Sequence, residues 1–235
     1  MNINKQSNIY IIIYITVLVI IVGTALAFTS MGLKPLQQAN INADKMKQIL
    51  ASIHIVPDKA GIKSDFERFI TEQFVVDSRG QRVEGNAFEI NVADQSKRPA
   101  DQRLLPVYVA VLADGSKKYI LPAYGAGLWG PIWGYVALDG DGKTVYGAFF
   151  SHQGETPGLG AEIAKPAFSD QFIGKELFKE GRLVPVEVVK KGQKPQGNAD
   201  YVDGISGGTI TSKGVGAMLD NCLSPYEPFL KTLNN

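Results

Sequence analysis

Residues 203–214, DGISGGTITSKG, gather one carboxylate, four hydroxyls and four glycines into twelve positions. No histidine, cysteine or metal-ligand spacing accompanies them, so nothing in the string activates a serine or threonine as a nucleophile. The order is not that of a Walker loop, because Lys213 follows Thr211-Ser212 instead of preceding them, and G-x-S-x-G is absent. Ser206, Thr209, Thr211 and Ser212 stand just ahead of KGVGAMLDNCL, where a helix start would leave free N–H groups that attract phosphate. A hydroxyl-rich helix cap is the plainer account of the same residues.

Two further glycine-rich stretches precede it. HQGETPGLGAEI, residues 152–163, is neither regular strand nor helix, since Pro157 and three glycines break both. Glu155 and Thr156 beside bare backbone amides there suit polar recognition of a planar ligand, with a plain turn as the competing account. YGAGLWGPIWGYVAL, residues 124–138, crowds Trp129 and Trp133 around Pro131. It reads as a bent strand with an aromatic core, or as a surface for something flat and large.

The elements that must hold these segments follow from period and turn chemistry. PLQQANINADKMKQILASIHI has apolar positions at Ile41, Met46, Ile49, Leu50 and Ile53, which predicts a helix. GIKSDFERFITEQFVVD predicts a second one, with Ser64 as N-cap and Phe66, Phe69, Ile70 and Phe74 on one face. From about residue 80 short β-rich runs take over, with Asp114-Gly115 and Asp141-Gly142 as hairpin turns. Helices are expected over 169–180 and 211–222. The fold class is then α+β, a mostly antiparallel sheet with flanking helices.

Composition narrows the chemistry. The 235 residues carry 24 basic and 23 acidic side chains without a basic run, which argues against a nucleic-acid partner. Cys222 is the only cysteine, so an intramolecular disulfide or a cysteine-held metal is excluded; no metal site is expected. His54 and His152 are too far apart in sequence to suggest a site.

IYIIIYITVLVIIVGTALAF, residues 9–28, is uncharged, and no charge occurs between Lys5 and Lys34. At 1.5 Å rise, twenty helical residues span roughly 30 Å, the thickness of a bilayer core. Ala25-Leu26-Ala27 fits a signal-peptidase site, but the apolar run exceeds the usual ~7–15 residues, so an uncleaved membrane anchor is expected. Lys5 lies on one side, and Lys34, Lys45 and Lys47 on the other, so charge does not fix the orientation.

Behind one anchor, and in this order, GAGLWGPIWGYVAL, GETPGLGAEI and DGISGGTITS resemble the C component (the NqrC family) of the bacterial sodium-translocating NADH:quinone oxidoreductase over essentially the whole chain. The G component of the Rnf electron-transport complex shares the domain and is the closest alternative. The resemblance implies a transmembrane anchor over 1–30, a helical connecting region over 31–95 and a covalent FMN-binding domain over 96–235. It implies that a flavin transferase esterifies FMN, through its phosphate, to the threonine of a Ser-Gly-Ala-Thr motif. Here that string is Ser206-Gly207-Gly208-Thr209, with Gly208 in place of alanine. Thr209 is then the acceptor, Thr211 the fallback, and Asp203 the acidic residue that precedes the motif. The isoalloxazine would pack on Glu155, Thr156, Gly158, Leu159 and Trp129.

The same resemblance implies a membrane electron carrier without a catalytic acid or base. Its partners would be the other members of a six-subunit inner-membrane complex, among them the flavin-bearing B component and an NADH-oxidising iron–sulfur subunit, with the flavin domain periplasmic. A flavin-free, surface-anchored binding module is the rival of another class. A hydrolase using Ser206 or Thr209 with His152 is more remote.

Overall fold

The computed structural model describes residues 7–233, and the chain divides into two compact units, residues 1–45 and 46–235. In the first unit the backbone is helical from Asn8 onwards, within helix α1 (Asn8–Ala51). By length and composition α1 is able to cross a membrane, and none of its most apolar window is buried. That combination is what a helix facing lipid requires, because its backbone hydrogen bonds are satisfied internally and its apolar surface needs no protein cover.

The second unit is built on a six-stranded antiparallel sheet of order β2-β1-β3-β4-β5-β6. Its strands are β1 (Ile70–Val76), β2 (Arg82–Val83), β3 (Leu105–Val111), β4 (Lys117–Ala126), β5 (Pro131–Asp139) and β6 (Val145–His152). Both Asp-Gly pairs are hairpin turns, joining β3 to β4 and β5 to β6; in each the aspartate Oδ1 accepts from the amide two residues on, at 2.9 Å.

Alternation sends successive side chains to opposite faces, and both faces are covered. Val107, Leu121, Val136 and Phe150 face α5 (Thr209–Leu223) and α6 (Glu227–Thr232), through Val215, Met218, Leu219, Phe229 and Leu230. Tyr108, Ile120 and Ala137 face Ile49, Leu50 and Ile53, and Phe66 of α2 (Ile62–Phe69). Cys222 of α5 is buried against β4, donating to Tyr124 O at 3.3 Å; burial pushes its thiol up. The smaller pieces are α3 (Val92–Gln95), α4 (Pro166–Ser169), the hairpin β7 (Phe178–Lys179)–β8 (Arg182–Leu183), and a parallel pair, β9 (Glu187–Val189) with β10 (Tyr201–Asp203).

Three expected elements differ. The second helix ends at Phe69, and Ile70–Val76 is β1, paired with β3 inside the stretch read as helical. Phe74 consequently joins the opposite core from Phe66, and Ser64 caps nothing: its hydroxyl donates back to Gly61 O, as helix interiors permit. The helix over 169–180 is replaced by α4, a 3₁₀ turn over Asp170–Phe172 and then β7. There Phe168 packs edge-on against both Phe150 and Phe172, and Phe172 lies tilted against Phe150, so an aromatic cluster fixes the chain where helix periodicity was expected. The C-terminal helix starts at Thr209, two residues earlier than expected.

Candidate functional site

The β4–β5 hairpin ends in a tight turn, with Gly127 N donating to Gly130 O at 2.8 Å, so Leu128 and Trp129 project from its tip. Trp129 is 69% exposed, whereas Trp133, inside β5, donates from Nε1 to Gln48 Oε1 at 2.9 Å. Ile132 of β5 lies opposite His152 at the end of β6, so the loop that follows β6 emerges beside this tip. That loop turns back at once: Leu159 and Ala161 both donate to Thr156 O, and a 3₁₀ turn begins at Gly160.

Glu155 ties the parts together. It is 4% exposed; its Oε1 accepts from Trp129 N at 2.8 Å, and its Oε2 accepts from the Thr211 hydroxyl in the first turn of α5. Burial alone would push this carboxyl up. The Thr211 hydroxyl and the amides of Trp129, Gly130 and Leu128 more than offset that and hold it below the usual carboxylate range. Gly160 admits the contact: a Cβ there would lie 2.4 Å from both Glu155 Oε2 and Thr211 Oγ1.

The segment entering α5 is equally determined. Gly208 N donates to Ile205 O at 3.0 Å, closing a turn that needs Gly207 in the left-handed region at φ +78°. Ile205 N donates to Ser212 Oγ at 2.8 Å, so a helix side chain holds the loop. The first intrahelical bond runs from Ser212 N to Gly208 O, and the Gly208 N-cap supplies no side-chain acceptor. Thr209, the first residue of the helix, is exposed; Thr211 is 1% exposed.

These segments line a groove of about 390 Å³, within the size range of small-molecule sites. It is lined by Leu128, Trp129, Leu159 and Ile210, all exposed, and by Glu155, Thr156, Thr211, Gly207, Gly208 and Thr209. A larger groove of about 630 Å³ shares Gly207 and Thr209 with it and is lined also by Ser206 and by Lys190, Lys191, Lys194 and Lys213. The apolar groove is the one suited to a flat ring, despite being smaller, because its exposed walls are apolar and no lysine lines it. Gly158 and Asp203 line neither groove: Gly158 N donates to Glu162 Oε1, and Asp203 Oδ1 accepts from Gly192 N in β10's surroundings. Leu128, Gly160 and Ile210 were missed from sequence; the apolar tip Leu-Trp between two glycines was the available signal for the first. His152 spends Nδ1 accepting from Glu155 N at 3.2 Å, which leaves the hydrolase reading without a base. Among the described residues no group of three His, Cys, Asp or Glu is placed to hold a metal.

A family model described as an FMN-binding domain matches residues 127–224, the stretch that carries both walls of the groove and α5. The chain is 36% identical over 229 residues to NqrC, the C component of the Na(+)-translocating NADH-quinone reductase, of Vibrio vulnificus, covering 90% of this chain and 88% of that protein. It is 37% identical to the NqrC of Vibrio alginolyticus over the same shares. The chain belongs to the NqrC family. Within that family, the crystal structure of the protein from Parabacteroides distasonis is 50% identical, with a TM-score of 0.79, covering 84% of this chain and 96% of that one. The antiparallel sheet with flanking helices is therefore the NqrC fold. The Rnf-type alternative is not favoured by relatives so named.

Proposed function

We propose that the chain is the FMN-carrying electron-transfer subunit of a Na(+)-translocating NADH:quinone reductase, with FMN attached through its phosphate to Thr209. The observation that carries the attachment is the contrast between two threonines two residues apart. Thr209 is exposed and lines the apolar groove, while the Thr211 hydroxyl is buried and committed to Glu155. Thr209 needs no activating base of its own, because a separate flavin transferase makes the bond.

The residues present fit the group. Leu128, Trp129, Leu159 and Ile210 offer an apolar face that excludes water from a ring. The uncapped first turn of α5 presents amide N–H groups where a phosphodiester would carry one negative charge, an arrangement worth about 0.3–1 kcal/mol. Bound FMN supplies the electron acceptance and donation; the protein supplies position, exclusion of water and charge. The apolar helix α1 anchors the protein in the inner membrane, with the flavin domain on the periplasmic side. In the complex, electrons originate at NADH on an iron–sulfur subunit and pass between this FMN and the flavin-bearing B component on the way to quinone.

The test is co-production with a flavin transferase, followed by in-gel fluorescence after denaturation. The wild type and Thr211→Ala fluoresce and Thr209→Ala does not. Fluorescence retained in Thr209→Ala removes the attachment site, and a dark wild type removes the flavin reading altogether.

A further inference from the structure

Glu155 is the only ionisable residue among those that line the apolar groove, and it is almost wholly buried. Everything that stabilises it is neutral: one threonine hydroxyl and the amides of the Leu128–Gly130 turn. Among the described residues no Lys, Arg or His forms an ion pair with it, although seven ion pairs are formed elsewhere. These neutral donors offset its burial, but with no counter-cation the carboxylate keeps its full net charge. Pinning a turn to a helix does not require a charge. A glutamine accepts from Trp129 N through its carbonyl and donates its amide to the Thr211 oxygen, with the same shape.

We propose that Glu155 is a positioning residue for charge: its fixed anion at the groove wall lowers the reduction potential of a flavin held there. This rests on the assignment of FMN to the groove. Each electron that reaches the ring without a proton adds one negative charge to it. An anion without a counter-cation lining the same groove opposes that addition, and it opposes it more strongly where the ring has displaced water than it would in bulk solvent. The reduced form is thereby disfavoured relative to the oxidised one, which keeps the carrier a readier donor to the next acceptor.

The experiment is equilibrium redox titration, followed by flavin absorbance, of the flavinylated full chain and its Glu155→Gln variant. The variant is expected to hold at least about tenfold more reduced flavin at a fixed potential, an upward shift of about 30 mV for a two-electron couple or 59 mV for a one-electron couple. A variant that is folded, flavinylated and unshifted overturns the proposal. Thr211→Val disturbs the same contact but keeps the charge, and it carries the test if the glutamine chain does not fold. Its potential stays at or below that of the wild type; a rise there means that loosening the groove, not removing the anion, is responsible, and overturns the proposal. A wild type with no flavin at all instead refutes the cofactor assignment on which this rests.

Discussion

Replacing Thr211 with valine removes one oxygen and nothing else of consequence. The side chain keeps its branched shape in the first turn of α5, but the Glu155 carboxylate loses its hydroxyl donor in a site where water does not replace it. Hydrogen bonds to charged groups contribute about 1.5–3 kcal/mol, and that is the expected destabilisation. For a domain of the size of residues 46–235, roughly 2–4 °C of Tm accompanies each kcal/mol, so Tm falls by roughly 3–12 °C. The loss also depends on pH, with a definite sign. The Glu155 carboxyl is lowered in the folded state, so its contribution is present above the unfolded value near 4.3 and is lost as pH falls through the lower folded value. The valine chain has less of that depression to lose. The stability gap between the two proteins is therefore full at neutral pH and narrows on acidification below about pH 4. Urea unfolding of both proteins across that range measures it. A valine variant as stable as wild type at neutral pH, or a gap that does not change with pH, refutes the reasoning.

Two other outcomes follow from the same packing. A chain lacking residues 1–33 stays folded and soluble by circular dichroism. One that starts after Ile53 does not: it loses Ile49, Leu50 and Ile53, each at most 1% exposed, worth together about 5–9 kcal/mol against a typical total of about 5–15. Trp129→Ala, at an exposed position, changes the stability of the unflavinylated protein by no more than about 0.5 kcal/mol. In the flavinylated protein it raises native flavin fluorescence by removing an adjacent indole; unaltered emission means that the ring does not lie against the hairpin tip.

Sequence carried the parts of this fold that local chemistry decides. The two Asp-Gly hairpins were legible because an aspartate side chain closes its own turn, and GETPGLG was legible as a loop because proline and glycine forbid the alternatives. Ile70–Val76 was not: Phe66, Phe69, Ile70 and Phe74 match a helical stripe, and only pairing with β3 decides for a strand. The two tryptophans look equivalent in GLWGPIWG, yet one falls in the turn and the other in β5, a difference set by where the hairpin closes. Least legible was the pairing of Glu155 with Thr211, 56 positions apart. Thr209 and Thr211 are nearly synonymous as sequence; what separates them is a partner that only the folded chain supplies.

The hydroxyl proposed as acceptor stands on the first residue of a fifteen-residue helix whose entry is held by Ser212 and the Ile205–Gly208 turn. A prosthetic group fixed there has a stationary pivot. Its reach is set by the length of its own ribityl chain, and any larger excursion toward a redox neighbour has to be made by the protein body as a whole.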